Sequence, residues 1–461
     1  MLPEDVLLDI FDCYVTEASK WGWPTLVHVC QKWRYVVFRS PLRLNLRIAC
    51  SAGTPVREKL AIWPPLPIII EENGGLYSSK YHEDNIIAAL GHNDRVDEIG
   101  LEVPSSLLDS VFAAMQKTFV ALKRLWLYNV SDRAPVVPNS FLGGSAPHLQ
   151  HLSLIRIQFP SPLLRNLLLS APNLVTLKLF DIPHSGYFSP EAMVACLSVL
   201  TRLEYLRIGF QSPRSCPPRE GRHPPSTRTV LPALIKLTFT GISEYLEDLV
   251  ARIDAPLLNH LSVTFFHQLI FDTPQLVQFI SRTPKLKSYD EARVIFSYSR
   301  ATIALTGRNY MKLQFGISCR RSDWQLSSLA QICASSLIGL IPEHFYILED
   351  VYSQPLWQDD LENNQWLEFF HPFTTVKNLY LSREFVPCVV PTLHELVGER
   401  VTEVLPNLQS IFLEGPEEPG LAPEHEAMRK FIAARKLSNR PVDISYRKGQ
   451  NNWWRHIFND W

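Results

Sequence analysis

Apolar residues along most of this chain recur in one short phrase, Leu-x-x-Leu-x-Leu, in which Val, Ile or Phe can replace a Leu. The alternation within the phrase is typical of a strand with one buried side. Successive starts among the first seven phrases are separated by 26, 27, 25, 29, 31 and 24 residues. The nine phrases begin at Val96, Leu122, Leu149, Leu174, Leu203, Leu234, Leu258, Val376 and Leu408. The chain therefore repeats one strand-containing unit many times.

Segments between the phrases carry apolar residues at helical spacing. They are Ser105–Phe119, Ser161–Ser170, Pro190–Leu200 and Ser243–Ile253. A strand and a helix within about 20–29 residues resemble a leucine-rich repeat. One such unit cannot bury its apolar side alone, so stacked units form a solenoid with strands on the concave wall and helices on the convex wall. We therefore expect residues 42–461 to form an α/β leucine-rich-repeat-like solenoid with a parallel concave sheet and outer helices.

The repeat is irregular at its start and in one central stretch. Leu42–Ile48 and Leu66–Ile70 alternate without completing the phrase, which indicates irregular first repeats. Across residues 286–373 the phrase degrades, but three segments still predict strands. These segments are Ala292–Ser297, Met311–Ser318 and Phe345–Leu348. We expect distorted repeats there rather than a new domain.

The C-terminal region, from about residue 422 to 461, is expected to cap the solenoid. Ala422–Lys436 predicts a last helix and Val442–Tyr446 a last strand. The tail Asn451–Trp461 carries apolar residues at helical spacing, namely Trp454, Ile457, Phe458 and Trp461. A terminal repeat must cover an apolar edge, so a cap is the favoured interpretation of this tail. An anchor for a partner is the alternative.

Two stretches have the composition of exposed inserts. Gln211–Val230 combines five prolines with four arginines and resists packing. Gln354–Gln365 is similar but acidic. Both are expected to be solvated loops, and the alternative for the first is a docking segment for an acidic partner.

The first forty residues predict a small helical docking module. Apolar residues at 6, 7, 10, 11 and 14 share one face of a helix, and Pro3 suits its first turn. A second helical stretch places Leu26, Val29, Cys30, Trp33 and Val37 on one face and ends before Ser40. Two short amphipathic helices cannot bury two apolar faces unaided. The module therefore needs the rest of the chain or a partner.

These residues resemble the F-box, whose usual pattern is Leu-Pro-x-Glu/Asp-aliphatic-Leu-x-x-Ile-Phe followed by Val-Cys-basic-x-Trp-Arg. The two halves match from Leu2 to Phe11 and from Val29 to Arg34, and the chain as a whole looks like the expanded fungal F-box families. The departure is Asp12–Thr25, which is longer and richer in Trp than a compact F-box. The resemblance implies an F-box at residues 1–41 that binds a Skp adaptor and, through it, a cullin.

The matching positions imply which residues would serve that role. They would contact the adaptor or form the small core of the F-box itself. They are Leu2, Pro3, Val6, Leu7, Ile10, Phe11, Val29, Cys30 and Trp33. The alternative is that they only cap the N-terminal end of the solenoid.

Composition narrows the classes of partner. Hydrophobic residues make up 46% and charged residues 20% of the chain, and the net charge is −1. A net charge near zero gives no reason to expect nucleic acid or an anionic membrane as a partner. The eight cysteines are scattered without a Cys-x-x-Cys pair and are expected to be reduced. With no charged-then-apolar leader and no apolar run of membrane length, an intracellular location, in the cytoplasm or nucleus, is expected.

The sequence contains no recognisable catalytic, phosphate-binding or zinc-binding motif. Leu142–Ser145 lacks the lysine of a phosphate-binding loop, and no Gly-x-Ser-x-Gly elbow occurs. His394 lacks the second His of a His-Glu-x-x-His zinc motif. We therefore expect no catalytic residue, metal or cofactor, although an enzyme with an unrecognised site stays a third possibility.

Residues between the leucines of each phrase point away from the core and line the concave wall. Several are aromatic or apolar where strand propensity does not require it, and basic residues flank them. This surface therefore suits a partner with an aromatic or apolar anchor and nearby acidic or phosphorylated groups. The expected substrate-binding residues are Arg124, Trp126, Tyr128, Ile155, Lys178, Phe180, Tyr205 and Arg207. A neighbouring loop or the C-terminal tail covering the aromatics is the alternative.

The sequence therefore favours the substrate receptor of a Skp–cullin–F-box ubiquitin ligase, which captures an unknown protein and does no chemistry itself. The alternative is a leucine-rich-repeat scaffold that acts outside a ligase.

Overall fold

The computed structural model describes residues 2–17, 22–73, 80–215, 227–268, 270–287, 289–307, 312–336, 342–349, 363–396, 398–414 and 423–447. The chain divides into two compact units. The first comprises Met1–Phe188 and Ala195–Leu203, and the second comprises Ser189–Val194 and Glu204–Trp461. The N-terminal helices belong to the first unit together with the strands that follow them.

Three helices open the first unit: α1 (Glu4–Glu17), α2 (Trp23–Val27) and α3 (Gln31–Arg39). The prediction of one continuous second helix was wrong, because the chain leaves the helix after Val27 and enters a new one at Gln31. Cys30 causes the restart: its backbone is extended, and its Sγ accepts a hydrogen bond from the backbone N–H of Trp33 at 3.4 Å.

The remaining strands and helices of the first unit alternate as the repeat predicts. They are β1 (Ile48–Cys50), α4 (Val56–Ile62), β2 (Ile68–Asn73), α5 (Lys80–Leu90), β3 (Val96–Val103), α6 (Ser105–Ala114), β4 (Arg124–Asn129), β5 (His151–Ile155), α7 (Ser161–Leu169) and β6 (Thr176–Ile182). The residues of the next helix, α8 (Pro190–Leu197), are divided between the two units. Strands β1 to β6 pair in parallel and in chain order. The first strand lies at Ile48–Cys50 rather than Leu42–Ile48, because residues 41–45 form turns.

Register in this unit follows the leucine phrase. Leu125 pairs with Leu152, and Leu152 with Leu177, so equivalent leucines lie side by side and are all buried. Each buried Leu side chain stabilises the unit by about 1.5–3 kcal/mol relative to exposure. This stacking of equivalent positions is what closes a core that no single repeat could form.

Asn129, at the end of β4, is fully buried. Its Nδ2 donates to the carbonyl oxygens of Ser131 at 3.0 Å and Arg133 at 2.8 Å, and its Oδ1 accepts from the N–H of Ser131 at 3.1 Å. The residue therefore holds the turn after β4.

The second unit continues the alternation with one interruption. Its elements are β7 (Tyr205–Phe210), β8 (Thr229–Val230), β9 (Lys236–Gly241), α9 (Ser243–Ala251), β10 (Ile253–Asp254), β11 (His260–Phe266), α10 (Pro274–Arg282), β12 (Glu291–Ser297), β13 (Arg300–Thr306), β14 (Lys312–Ser318), α11 (Ser322–Ser336), β15 (His344–Glu349), α12 (Asn363–Phe370), β16 (Asn378–Leu381), α13 (Val386–His394), β17 (Ser410–Glu414), α14 (Pro423–Leu437) and β18 (Asp443–Arg447). The sheet order is β7-β9-β11-β14-β13-β12-β15-β16-β17-β18, and β8 pairs separately with β10.

The interruption is β13, which pairs antiparallel with both β12 and β14. The sequence predicted only distorted repeats in this stretch and a wholly parallel sheet; the sheet is mostly parallel instead. After β12 the chain reverses at once, and the Ser297 hydroxyl donates to the carbonyl oxygen of Arg300 at 2.9 Å across the turn. Ala301, Ile303 and Leu305 are buried, so the returning strand fills a place in the same core.

Several predicted segments lie partly or wholly outside the described residues. The last helix and last strand are present as α14 and β18. The tail Asn451–Trp461 is outside, as are 216–226 of the first insert and most of Gln354–Gln365. Within the described part of the first insert, Thr229–Val230 forms β8.

Candidate functional site

The N-terminal helices have a small core of their own. Phe11 is fully buried, Leu7 is 4% exposed, and Val37 of α3 is also fully buried. The rings of Phe11 and Trp33 lie 4.8 Å apart between centroids. Trp23 packs on Trp63 at 5.1 Å, beyond the three helices, so the core continues into the chain that follows.

A second apolar surface on the same helices faces outward. Spacing of four residues along α1 places Val6, Ile10 and Tyr14 on one side of the helix. These side chains are 41%, 46% and 38% exposed, and Leu2 and Val29 are more than half exposed. We name these five residues the outer face. Helix α1 is therefore apolar on more of its circumference than the protein itself covers.

One hydrogen bond brings the two ends of the outer face together. The Nζ of Lys32, in the first turn of α3, donates to the carbonyl oxygen of Leu2 at 3.0 Å. The loop that carries Val29 and Cys30 leads into that turn, so it lies at the end of the module where α1 begins.

The structure sorts the residues predicted to bind an adaptor into two groups. Leu2, Pro3, Val6, Ile10, Val29 and Cys30 are exposed, and Trp33 is half-buried. Leu7 and Phe11 are buried in the helical core. Packing in a small core is one of the two roles that the sequence left open for this set of residues.

An ionic network attaches the helices to the sheet of the first unit. The Nε1 of Trp23 donates to the carbonyl oxygen of Arg47 at 2.8 Å, and the Arg47 guanidinium is paired with the carboxylates of Asp97 and Glu98 on β3. Lys123 also pairs with Asp97, at 2.8 Å. Sequence inspection missed this network because its members are far apart along the chain and carry no motif.

Beside the network is a cavity of about 290 Å³. Asp12, Val15, Arg43, Leu44, Asn45, Arg47, Glu98 and Arg124 line it. Arg124, a predicted substrate-binding residue, lies 3.8 Å from Glu98. The cavity therefore joins the C-terminal half of α1 to the first strands of the repeat.

Predicted substrate-binding residues of the first unit lie on the sheet face opposite the buried leucines. We name Arg124, Trp126, Tyr128, Ile155, Lys178 and Phe180 the open-face patch. Register places Tyr128 beside Ile155, and Ile155 beside Phe180. All members except the exposed Arg124 are half-buried. The Trp126 and Tyr128 rings are 6.5 Å apart.

Ser153 lies in the middle of the open-face patch. It pairs with Trp126 on one side and Lys178 on the other. Its side chain is 8% exposed, and its Oγ has no hydrogen-bond partner among the described residues. An unsatisfied buried hydroxyl costs about 1–3 kcal/mol.

The other two predicted residues, Tyr205 and Arg207, lie on β7 of the second unit. Register pairs Tyr205 with Lys236 and Arg207 with Thr238 on β9. The Nζ of Lys236 lies 5.1 Å from the centroid of the Tyr205 ring, a cation–π contact.

The second unit also has an aromatic ladder that sequence inspection missed. Tyr346, Tyr380 and Phe412 are in register on β15, β16 and β17, and their rings stack at 4.2 Å and 4.5 Å between centroids. The Arg293 guanidinium covers Tyr346 at 5.3 Å and pairs with Glu291 at 2.6 Å. Burial raises the pKa of the Tyr346 phenol, which stays protonated. The sequence signal that could have revealed this ladder is an aromatic residue at the same position of three successive repeats.

Three cysteines of the described residues have thiols with a raised pKa. Burial raises the pKa of the Cys50 thiol to about 11 and also raises those of Cys196 and Cys333. Throughout the described ranges, no cluster of three or more His, Cys, Asp and Glu residues is arranged to hold a metal ion. No helix among those ranges is both long and apolar enough to cross a membrane.

Comparison with known proteins gives likenesses among solved structures. The chain matches no protein-family model and no curated protein. Among solved structures it is similar to the crystal structure of the leucine-rich repeat-containing protein LegL7 from Legionella pneumophila, with 13% identity and a TM-score of 0.28. The match covers 87% of this chain and 90% of LegL7.

Proposed function

We propose that this chain is the substrate-receptor subunit of a Skp–cullin–F-box ubiquitin ligase. The fold supports the general part of this proposal. It is a mixed α/β fold of stacked strands with a mostly parallel sheet, consistent with a leucine-rich-repeat-like solenoid and a protein-interaction scaffold. On this proposal the N-terminal helices bind a Skp adaptor, which recruits the cullin, and the repeats capture a protein substrate. The receptor acts by raising the effective concentration of substrate near the ubiquitin-charged enzyme.

The observation that carries the proposal is the outer face. Leu2, Val6, Ile10, Tyr14 and Val29 are apolar and between 38% and 55% exposed although the same helices have a buried core. Apolar side chains grouped on one side of a short module are characteristic of a protein-binding surface. Four of them, Leu2, Val6, Ile10 and Val29, are also positions through which the F-box resemblance implies adaptor contact.

The open-face patch supports the second half of the proposal. Its aromatic rings provide apolar area, and Arg124 and Lys178 provide positive charge. This combination suits a protein segment with an apolar anchor and acidic neighbours.

Co-purification tests the proposal. The intact protein should recover a Skp adaptor and a cullin from cells, and the double variant Val6→Asp with Ile10→Asp should lose both because it places two charges in the contact. Leu169→Asp is the matched control, since Leu169 is 41% exposed on α7 of the same unit. Retention of the adaptor by the folded double variant would refute the ligase role and favour a scaffold that acts outside a ligase.

A further inference from the structure

The open face of the first unit has a gap at Gly100, in the middle of β3. Register pairs Gly100 with Glu71 of β2 on one side and with Trp126 of β4 on the other. A Cβ at Gly100 would lie 3.6 Å from Cε3 of Trp126 and 3.9 Å from Cγ of Glu71. The indole ring and the Glu71 side chain therefore approach each other above the glycine, although β3 separates their strands.

A second carboxylate belongs to the same place. Glu102, two residues after Gly100, pairs with Tyr128, which is two residues after Trp126. Side chains two residues apart on a strand point to the same face, so Glu102 shares the open face with Trp126 and Glu71. All three side chains are half-buried. We name Glu71, Glu102 and Trp126 the acidic corner.

The two carboxylates of the acidic corner differ from those earlier on β3. Asp97 and Glu98 are paired with basic side chains of the chain itself. Across the described ranges, by contrast, Glu71 and Glu102 have neither an ion pair nor a side-chain hydrogen bond. A half-buried carboxylate attracts a cation more strongly than a fully exposed one, because water and salt screen it less. The acidic corner therefore has negative charge that the described chain does not neutralise.

The protein itself holds a basic side chain with the same chemical groups beside the acidic corner. The guanidinium carbon of Arg156 lies 6.0 Å from the centroid of the Tyr128 ring, and its Nε lies 3.3 Å from the carboxylate of Asp181. One ring and one carboxylate thus hold one cation. The acidic corner repeats this combination with a tryptophan, the ring that binds cations best, and with two carboxylates.

Basic side chains of the open-face patch lie on other sides of Trp126. Arg124 is 3.8 Å from Glu98, near the start of β3, whereas Glu102 lies near the end of that strand. Lys178 is on β6, two strands from Trp126. The open face therefore changes from negative charge at β2 and β3 to positive charge at β6.

We propose that the acidic corner binds one basic side chain, lysine or arginine, of a protein segment held on the open face. The cation lies over the Trp126 ring within reach of both carboxylates, and its alkyl stem covers the indole. Acidic residues of the same segment then lie toward Lys178, so the order of charges fixes the direction of the segment across the strands. This inference rests on the proposed capture of a protein by the open face, but not on adaptor binding.

Fluorine NMR of the full chain labelled with 5-fluorotryptophan tests the inference. The Trp126 signal is identified as the one that is missing from Trp126→Phe. The probe is a capped glycine-lysine-glycine tripeptide, titrated to about 20 mM because a single side chain binds weakly. It should shift the Trp126 signal in a saturable way. The norleucine version, which has the same four-carbon stem without the charge, should not.

A charge-removing variant locates the effect. Glu71→Gln with Glu102→Gln should raise the Kd of the lysine tripeptide at least about fivefold, because the amides keep the shape of the side chains and remove their charge. Glu58→Gln is the matched control, since Glu58 is exposed on α4 of the same unit, and it should leave the Kd unchanged. Rising salt should weaken binding to the wild-type chain.

Four results would overturn the inference. They are an unmoved Trp126 signal with the lysine tripeptide, an equal shift with the norleucine version, tighter binding of a glutamate version, and an unchanged Kd in the folded Glu71→Gln, Glu102→Gln variant. If Trp126→Ala with Tyr128→Ala changes the interactors of the chain while the wild-type chain ignores the lysine tripeptide, the capture surface stands and only this inference fails. Recovery of a Skp adaptor is measured separately and tests the ligase role alone.

Discussion

The guanidinium of Arg47 lies 3.2 Å from the carboxylate of Asp97, which is 4% exposed. Arg47 belongs to the segment just after the three N-terminal helices, and its own carbonyl oxygen accepts the indole N–H of Trp23. A single residue thus links the helical module to β3 of the repeat. If the module docks on an adaptor, this link fixes the direction in which the repeats extend from it.

Replacing Arg47 with Met should lower the free energy of unfolding by about 2–4 kcal/mol, since the buried carboxylates of Asp97 and Glu98 lose a partner. Chemical denaturation measures the change. Arg43→Met is the control, because the pair between Arg43 and Asp9 is exposed and should contribute under about 1 kcal/mol. Equal costs for the two variants would show that the Arg47 network does not hold the module.

Leu7 and Val6 are neighbours in sequence with opposite environments. Leu7→Ala should destabilise the first unit by about 2–4 kcal/mol because it opens a cavity beside Phe11. Val6→Ala should change stability by less than about 0.5 kcal/mol, since the side chain is already partly in water. Thermal unfolding followed by circular dichroism distinguishes them. A large loss from Val6→Ala would mean that the outer face is buried within the protein itself.

Cysteine alkylation at mildly alkaline pH should distinguish exposed from buried cysteine side chains. Cys13 and Cys30 are exposed and should react, whereas Cys50, Cys196 and Cys333 are buried and should stay protected until the chain unfolds. The raised pKa of Cys50, about 11, further reduces its thiolate fraction. Mass spectrometry of the labelled peptides measures each site. Added Skp adaptor should slow labelling of Cys30, and an unchanged rate in a formed complex would place the contact elsewhere.

Trp126→Ala combined with Tyr128→Ala should weaken substrate capture without affecting adaptor binding, because the two rings are on the open-face patch and far from α1 in sequence. Proximity labelling followed by mass spectrometry compares the interactors of the two proteins. Tyr298→Ala controls for loss of an exposed aromatic residue at another place. Unchanged interactors in the folded double variant would move substrate binding away from this patch.

Local pattern was sufficient for the repeating part of the fold. Alternation in the Leu-x-x-Leu-x-Leu phrase predicts strands with one buried side, and the regular spacing of the phrases predicts parallel stacking. Strands β3 to β6, and the residues that lie side by side on their open face, could therefore be predicted from the sequence. The outer residues of α1 could be predicted to share a face for the same reason: helical spacing is a local property.

Only tertiary structure decided which of those residues are available to a partner. Periodicity groups Val6, Leu7, Ile10 and Phe11 on one broad face, but packing against Trp33 buries Phe11 and leaves Ile10 exposed. Likewise, the Arg47 network joins residues that are far apart along the chain, and the antiparallel strand β13 carries no repeat signal. The sequence by itself determined the repeating strands and the apolar faces of the helices, because both are periodic. Long-range packing determined which faces are covered, because burial depends on what the rest of the chain brings against them.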